Sequence, residues 1–323
     1  MRLFVTEFIV GGGIANDPLP DNLKQEGQMM LQAVLDECSK IPGIQLVTTC
    51  DARIDLQIND VEMHIVEDAI DYIQQVSLIA AQCDATWVIA PESGGILESI
   101  THRLLEEKIT LINCDVESVH ITSDKLMCAE YLMKHDILTI ENLSLEKTRS
   151  YMKPVIIKDR CGAGCEGLMR CENGKQALEC IENFSQWVVQ PYLEGDHLSL
   201  SLLFSRQEVK ILSINKQIFE NIKQPKLIAC HVNAYPVRDD MRLLAEKIFN
   251  AFPGLQGYVG VDVIETQGKH YIVDINPRLT SSFVGLSAVL EDNPAAMCIN
   301  SVLKSALPKT INISSQVVEV KVV

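Results

Sequence analysis

The 323-residue sequence has no run of the roughly 18 apolar residues that a membrane-crossing helix needs. Its apolar start, Met1 to Val10, carries Glu7 and runs into Gly11-Gly12-Gly13 without a small-residue cleavage site, so it reads as a first β-strand and not as a secretion signal. No C-x-x-C spacing occurs among the eleven cysteines. An odd number of thiols without a secretion signal predicts reduced cysteines and a cytoplasmic location. Glycine (17) and proline (12) are not enriched, which excludes collagen-like and low-complexity chains. Basic residues are few: 28 Lys and Arg face 43 Asp and Glu, a net charge of −15. Phosphate recognition by a bulk field needs clustered cations, so neither nucleic acid nor a membrane is expected as a partner. An anionic ligand has to be met by a few local cations or by a metal ion.

What is present is an ordinary globular composition, 47% hydrophobic and 22% charged, with length for about two domains at roughly 150 residues each. Up to about residue 115, strand-like patterns (3–10, 44–49, 86–90, 109–113) alternate with helical ones (23–40, 69–82, 96–107). In the first helix Met30, Leu31, Val34, Leu35 and Cys38 fall on one face. Strands separated by such helices predict βαβ units and a parallel sheet, with ligands beyond the C-terminal strand ends. That places the loops 11–17 and 91–95 on the candidate ligand edge. From about residue 117 the pattern changes to a helix (123–134), a strand–glycine loop–strand unit (155–170), a helix near 175–183 and a strand at 187–190. Long strands then dominate, at 197–205, 208–217, 227–232, 257–265 and 270–275, with helices at 239–251 and 293–305. The predicted fold class is α/β plus α+β, the second part built on an antiparallel sheet.

Three segments carry chemistry. The apolar strand Pro154-Val155-Ile156-Ile157 delivers Lys158 and then a loop with Gly162, Gly164 and Gly167. Small residues let backbone N–H groups approach phosphate oxygens, and the lysine adds a point charge. The loop lacks the helix-opening Gly-Lys-Ser/Thr of a Walker A motif, and its G-x-G-x-x-G spacing sits between strands, unlike a dinucleotide fingerprint. A glycine turn joining two strands is the other reading, and Cys161 with Cys165 makes only a weak metal pair. In the second segment, Asp262 lies in one strand, and Asp274 and Asn276 lie two apart on one face of the next. A hairpin about 266–268 would bring all three together as a hard oxygen cluster of the kind that holds Mg²⁺. Strand-end acids facing water are the alternative. Arg278, just after Pro277, can reach anionic oxygen beside such a metal. In the third segment, Gln190-Pro191-Tyr192-Leu193 could link two lobes and offer backbone groups to a purine.

The order of these segments resembles the ATP-grasp superfamily of carboxylate–amine ligases. The resemblance runs over about 119–290, and the α/β segment before it resembles the family's preceding domain. The carrying motifs are Thr122-Ser123-Asp124-Lys125, the strand and loop 155–167, Gln190-Pro191-Tyr192-Leu193, Gly260-Val261-Asp262 and Asp274-Ile275-Asn276-Pro277-Arg278. The resemblance implies an ATP-grasp fold with a pre-ATP-grasp domain over 1–116, a small lobe with a glycine-rich lid over 117–190 and a large lobe with the metal site over 191–323. It implies ATP and Mg²⁺ as cofactors. Lys125 and Lys158 would contact the ATP phosphates, Lys158 also lying near the adenine. Gly162, Ala163 and Gly164 would close over the β- and γ-phosphates. Gln190 to Leu193 would hold the adenine, through the Pro191 carbonyl and the Leu193 N–H. His197 stands where many relatives carry an acid for the ribose, and Glu194 is the alternative. Lys216 is a candidate for a further phosphate contact. Asp262, Asp274 and Asn276 would bind the metal, and Arg278 would stabilise the transferring phosphoryl group. Relatives more often have Glu at the place of Asp274. The dipeptide ligases of the superfamily have an Arg at the place of Gly260, which argues against that branch.

Within the superfamily, the loop 11–13, Ala90-Pro91-Glu92-Ser93-Gly94-Gly95-Ile96-Leu97, Ser213-Ile214-Asn215-Lys216-Gln217 and the stretch 274–282 resemble the tyramine–glutamate ligases of methanofuran biosynthesis. This implies small-molecule carboxylate and amine substrates: glutamate activated as an acyl phosphate and joined to tyramine or tyrosine. Arg278 and the backbone about Thr280 and Ser281 would hold the carboxylate, with Ser93 nearby, and Glu92 would meet an ammonium group. His120, His197 and His231 are candidates for a general base. A phosphotransferase using the same nucleotide residues, and a non-catalytic nucleotide sensor, are the competing readings. Related ligases often dimerise, and a homodimer is compatible with the net charge.

Overall fold

The computed structural model describes residues 1–164, 167–221 and 223–322. Strand β1 (Arg2–Glu7) leads through a helical turn at Ile9–Gly13 into helix α1 (Asp21–Ser39). Strands β2 (Gln45–Asp51) and β3 (Val61–Val66), helix α2 (Tyr72–Ala80), β4 (Ala85–Ile89) and α3 (Ile96–Glu106) complete a parallel sheet of order β3-β2-β1-β4. Both faces of this sheet are covered. Leu3 and Val5 of β1 pack with Met30, Leu31, Val34, Leu35 and Cys38 of α1. Phe4 packs with Val76, Leu97, Ile100 and Leu104 of α2 and α3. Covering on both faces is why β1 reads as a continuous apolar run. The strand predicted at 109–113 is only a single parallel bridge, Thr86 to Leu111. Beyond it the side chain of Asn113 takes over from the ladder, accepting from the Val88 N–H (2.9 Å) and donating to its carbonyl (2.7 Å).

The helix predicted over 123–134 is α5 (Lys125–Lys134), and a further helix, α4 (Val116–Ser123), precedes it, the two broken at Asp124. Asp124 caps α5 by accepting from the N–H groups of Leu126 and Met127 and is itself gripped by Arg160 at 2.7 Å. After α6 (Leu145–Ser150) come β5 (Val155–Asp159), β6 (Met169–Cys171), α7 (Gly174–Glu179) and β7 (Trp187–Pro191), a three-stranded antiparallel sheet of order β6-β5-β7. The remaining strands are β8 (Asp196–Phe204), β9 (Val209–Glu220) and β10 (Lys226–Tyr235), then, after α8 (Asp239–Ala251), β11 (Gly257–Thr266) and β12 (Lys269–Asn276). Helices α9 (Leu286–Val289) and α10 (Pro294–Leu303) and strand β13 (Val318–Lys321) end the chain. The larger sheet has the order β12-β11-β8-β9-β10-β13. One of its faces, with Leu198, Leu200, Leu202, Val261 and Val263, packs on Met241, Leu244 and Ile248 of α8. The other face packs in part, through Leu203, Leu212, Val232 and Tyr258, against Phe283 and the parallel layer, and the rest of it builds a site.

The hairpin between β11 and β12 turns at Gln267-Gly268, both with positive φ (50° and 71°), the two-residue turn that matches strand twist. From that turn the register runs Thr266 with Lys269 up to Val263 with Ile272. A bulge then leaves Val273 unpaired and sets Asp262 opposite Asp274. Without that extra residue Asp262 would face Val273.

At the end of β1 the buried Glu7 accepts the Val10 N–H at 2.8 Å. Gly27 of α1 makes room for it: a Cβ there would lie 2.5 Å from Glu7 Oε2. Burial pushes the Glu7 carboxyl up to about 8 from its ordinary 4.5. Helix propensity alone would favour Ala at position 27 by about 1 kcal/mol. Gly27→Ala is instead expected to destabilise, by about 1–3 kcal/mol of overpacking, read as a lower denaturation midpoint. The stability contributed by protonated Glu7 is fully present below 4.5 and is lost by the time the pH passes about 8. Denaturation midpoints measured from pH 5 to 9 should therefore fall more steeply for the native chain than for Glu7→Gln. Parallel curves would show that Glu7 does not titrate in this range.

Candidate active site

The opposite face of the larger sheet carries polar side chains at positions where a sheet usually buries apolar ones. Asp274, Asp262, Ser199 and Asn215 are successive cross-strand partners from β12 to β9, and Asn276, Gly260, Ser201 and Ser213 form the next row. Of these, Asp274, Asp262, Ser199 and Asn276 line a cavity of about 320 Å³ bounded by the sheet, the β5–β7 lobe and the segment after β12. Asp262 accepts from Gln217 Nε2 at 2.9 Å, and Asn276 Nδ2 lies 3.5 Å from its other oxygen. Burial, and then the facing charge of Asp274, push the Asp262 carboxyl up to about 7, although Asn276, Lys158 and Gln217 pull it down. The pair thus holds more negative charge than its protein neighbours neutralise. Two carboxylates and an amide oxygen form a hard donor set that fits Mg²⁺. Among the described residues no group of three or more acid, His or Cys side chains gathers as a metal site, so the fit depends on Asn276 as the third donor.

Three cations meet this cluster. Lys125, at the first position of α5, places Nζ 3.6 Å from Asp274 Oδ2 and donates to the Gly162 carbonyl of the glycine loop. Burial works against its charge, but Asp274 and Glu92 outweigh that and hold its pKa above the ordinary value. Lys158, at the end of β5, lines the cavity. Arg278 reaches in from the segment after β12. Its Nε and Nη2 donate to the two oxygens of Glu92 at 3.0 and 2.9 Å, and Nη1 donates to the Leu279 carbonyl at 3.0 Å. This bidentate pair spans 186 residues of sequence and ties the loop after β4 to the end of β12.

Most sequence-derived candidates converge on this one cavity. Lys125, Lys158, Gly162, Gly164, Gln190, Pro191, Tyr192, Leu193, His197, Asp262, Asp274, Asn276, Arg278, Thr280 and Ser281 all line it. Gln190 donates from Nε2 to the Ile140 carbonyl, while its buried Oε1 has no partner. The Tyr192 N–H is spent on the Pro154 carbonyl. Burial, then the charge of Lys158, hold the His197 pKa below its ordinary value, which keeps the ring neutral at pH 7. Ala163 belongs to the glycine loop but is not a lining residue, and Cys165 and Glu166 of that loop lie outside the described residues. Other candidates fall elsewhere: Glu194 is outside the lining, His120 pairs with Glu98 and His231 with Glu319. Lys216 is outside the cavity lining: it alternates on β9 with Gln217, which lines the cavity, and with Asn215, which is buried and donates to Ser201. Glu92 is bound to Arg278 and does not line the cavity. Ser93 lines a smaller cavity of about 180 Å³ with Gly162, Gly167 and Trp187, where the loop after β4 meets the glycine loop.

Two contributors were missed. Gln217 holds Asp262, and its signal was the alternation Ser213, Asn215, Gln217, three polar residues on one face of a strand. Glu26 of α1 also lines the cavity, and nothing in the local pattern of an amphipathic helix marks it. Gly260 has a structural reason: a Cβ there would lie 2.6 Å from Thr280 Cγ2. Thr280 therefore fills the space into which a longer side chain at 260 would project. Thr280, Ser282, Ser201 and Tyr258 share hydroxyl hydrogen bonds of 2.8–3.2 Å behind it.

The family models described as pre ATP-grasp 3 domain and ATP-grasp domain match residues 44–119 and 122–282. The tyramine–L-glutamate ligase of Methanocaldococcus jannaschii is 29% identical over 270 residues, 82% of this chain and 79% of that protein. Among solved structures, an ATP-grasp superfamily protein from Archaeoglobus fulgidus superposes with a TM-score of 0.73 at 20% identity, covering 99% of both chains. The N5-carboxyaminoimidazole synthetase of Staphylococcus aureus, solved with ADP, superposes with a TM-score of 0.73 at 16% identity over 98% of this chain and 81% of that one. The parallel sheet with its helices, the three-stranded lobe, the antiparallel sheet and these matches agree: the chain belongs to the ATP-grasp family of ligases.

Proposed function

We propose that this chain is an ATP- and Mg²⁺-dependent carboxylate–amine ligase that activates glutamate and joins it to tyramine or tyrosine, in the biosynthesis of a methanofuran-type one-carbon cofactor. The observation that carries the reading is the facing pair Asp262 and Asp274, with Asn276, Lys125 and Arg278, in one cavity that also reaches the Gln190–Leu193 segment. The tyramine–L-glutamate ligases similar to this chain over most of its length support the choice of substrates. The divisions at 116/117 and 190/191, a cytoplasmic location and a homodimer belong to the same proposal.

In this reading Asp262, Asp274 and Asn276 would hold the metal, which when bound neutralises phosphate oxygens. Lys125 and Lys158 contact the phosphates, and Lys125 also anchors the glycine loop through the Gly162 carbonyl. Pro191 and Leu193 read the adenine edge by their backbone. The γ-phosphoryl group passes to a substrate carboxylate and ADP leaves. The amine nitrogen then attacks the acyl carbon, the amide C–N bond forms, and phosphate and a proton are released. Arg278 stabilises the charge on the transferring group, because Glu92 holds its guanidinium in one orientation before substrate arrives. The glycine loop excludes water, which would otherwise hydrolyse the acyl phosphate.

Asp274→Ala and Lys158→Ala are expected to abolish turnover, measured as ADP release with MgATP across pairs of carboxylates and amines, and to leave the melting temperature near that of the native chain. The product should weigh one water less than the sum of glutamate and the amine. A phosphorylated product formed without amine would replace the ligase reading with a phosphotransferase, and native-like turnover in either variant would refute the site. Glu92→Gln should lower kcat by about ten- to a hundredfold with little change in nucleotide affinity, since it loosens Arg278 without touching the phosphate site. It should also destabilise, because the largely buried Arg278 loses its counter-charge; breaking such pairs costs about 3–5 kcal/mol.

A further inference from the structure

Among the described residues, Asp274 is the one acid lining the cavity that forms an ion pair, and Glu26 is among those left without one. Glu26 lines the cavity from α1, and among the described residues that do so it is the only one from the N-terminal parallel layer. It makes no hydrogen bond or ion pair with any described residue. Burial pushes its carboxyl above the ordinary range, and the charge of Arg278 offsets this only in part. A half-buried carboxylate in that position has given up part of its water without gaining a hydrogen bond from the described residues, an arrangement that a bound cation would repair. Arg278 lines the same cavity with three of its N–H groups committed to Glu92 and Leu279, and a guanidinium has five. The remaining two donors have no acceptor among the described residues.

We propose that Glu26 holds the α-ammonium of a free amino acid whose carboxylate end lies toward Arg278, and thereby makes the site select amino acids over plain carboxylic acids. This rests on the ligase reading given above. The acceptor amine is the other cationic substrate, but it must lose its proton to attack, and a carboxylate beside it would keep it protonated. The ammonium suited to Glu26 therefore belongs to the amino acid that is activated.

The test is calorimetric titration of the protein in the presence of MgADP with L-glutamate and with glutarate, which lacks only the ammonium. The native chain should bind L-glutamate about ten- to a hundredfold more tightly, the range of one charged hydrogen bond. Glu26→Gln should abolish that preference with MgADP affinity unchanged, and Glu26→Asp, which keeps the charge, should retain part of it. A native chain that binds the two equally, or binds neither, overturns the proposal, as does a Glu26→Gln protein that keeps the full preference. Selective binding without amide formation would leave the role of Glu26 standing and sink the ligase reading. Amide formation that ignores the ammonium would sink the role of Glu26 alone.

Discussion

A guanidinium that is only 13% exposed has to be met by an equally fixed anion, and Glu92 does this for Arg278 with both oxygens. Much of the site is arranged around that pair. Glu92 comes from the loop beyond β4 and Arg278 from the segment beyond β12, so the ion pair joins the parallel layer to the antiparallel sheet at the rim of the cavity. It also reduces what each residue can do alone. Glu92 is spent as a ligand for substrate, and Arg278 is held in one orientation before anything binds. The negative charge of Glu92 above all, and then of Glu26, holds the Arg278 pKa above its ordinary value against the penalty of burial.

A second tension lies a few residues away. Asp262 and Asp274 face one another across neighbouring strands, where like charges are destabilising. Asn276, Lys158 and Gln217 relieve this in part, and burial, with the facing Asp274 next, still holds the Asp262 carboxyl above its ordinary range. Such strain is tolerable if a cation completes the cluster in the working protein, and it is the expected trade between stability and function at a site.

Much of this was readable beforehand. The apolar stripe of α1, the strands on either side of Gln267-Gly268 and the helix at 239–251 follow from periodicity and turn chemistry, which act locally. The segments missed were those in which local pattern is weak. Strand β3 is an edge with mixed polarity, β13 has four residues, and the break at Asp124 turns on a cap that Arg160 completes from the turn after β5, 36 residues later. The strand expected at 109–113 dissolves into one bridge because the Asn113 side chain substitutes for backbone pairing.

The sequence by itself determined the inventory of the site: three cations, two acids and an amide, carried on strand ends and glycine-bearing loops in an order that resembles a known family. Alternation along a strand is a covalent fact, so the shared face of Asp274 and Asn276 needed no coordinates. Only the tertiary structure decided who meets whom. The bulge at Val273 sets Asp262 against Asp274, Glu92 is consumed by Arg278, Lys216 falls outside the cavity, and Glu26 enters it from a helix some 250 residues before Arg278. These pairings depend on register and on packing between layers. Both are settled by contacts between residues far apart in the chain, which no local pattern encodes.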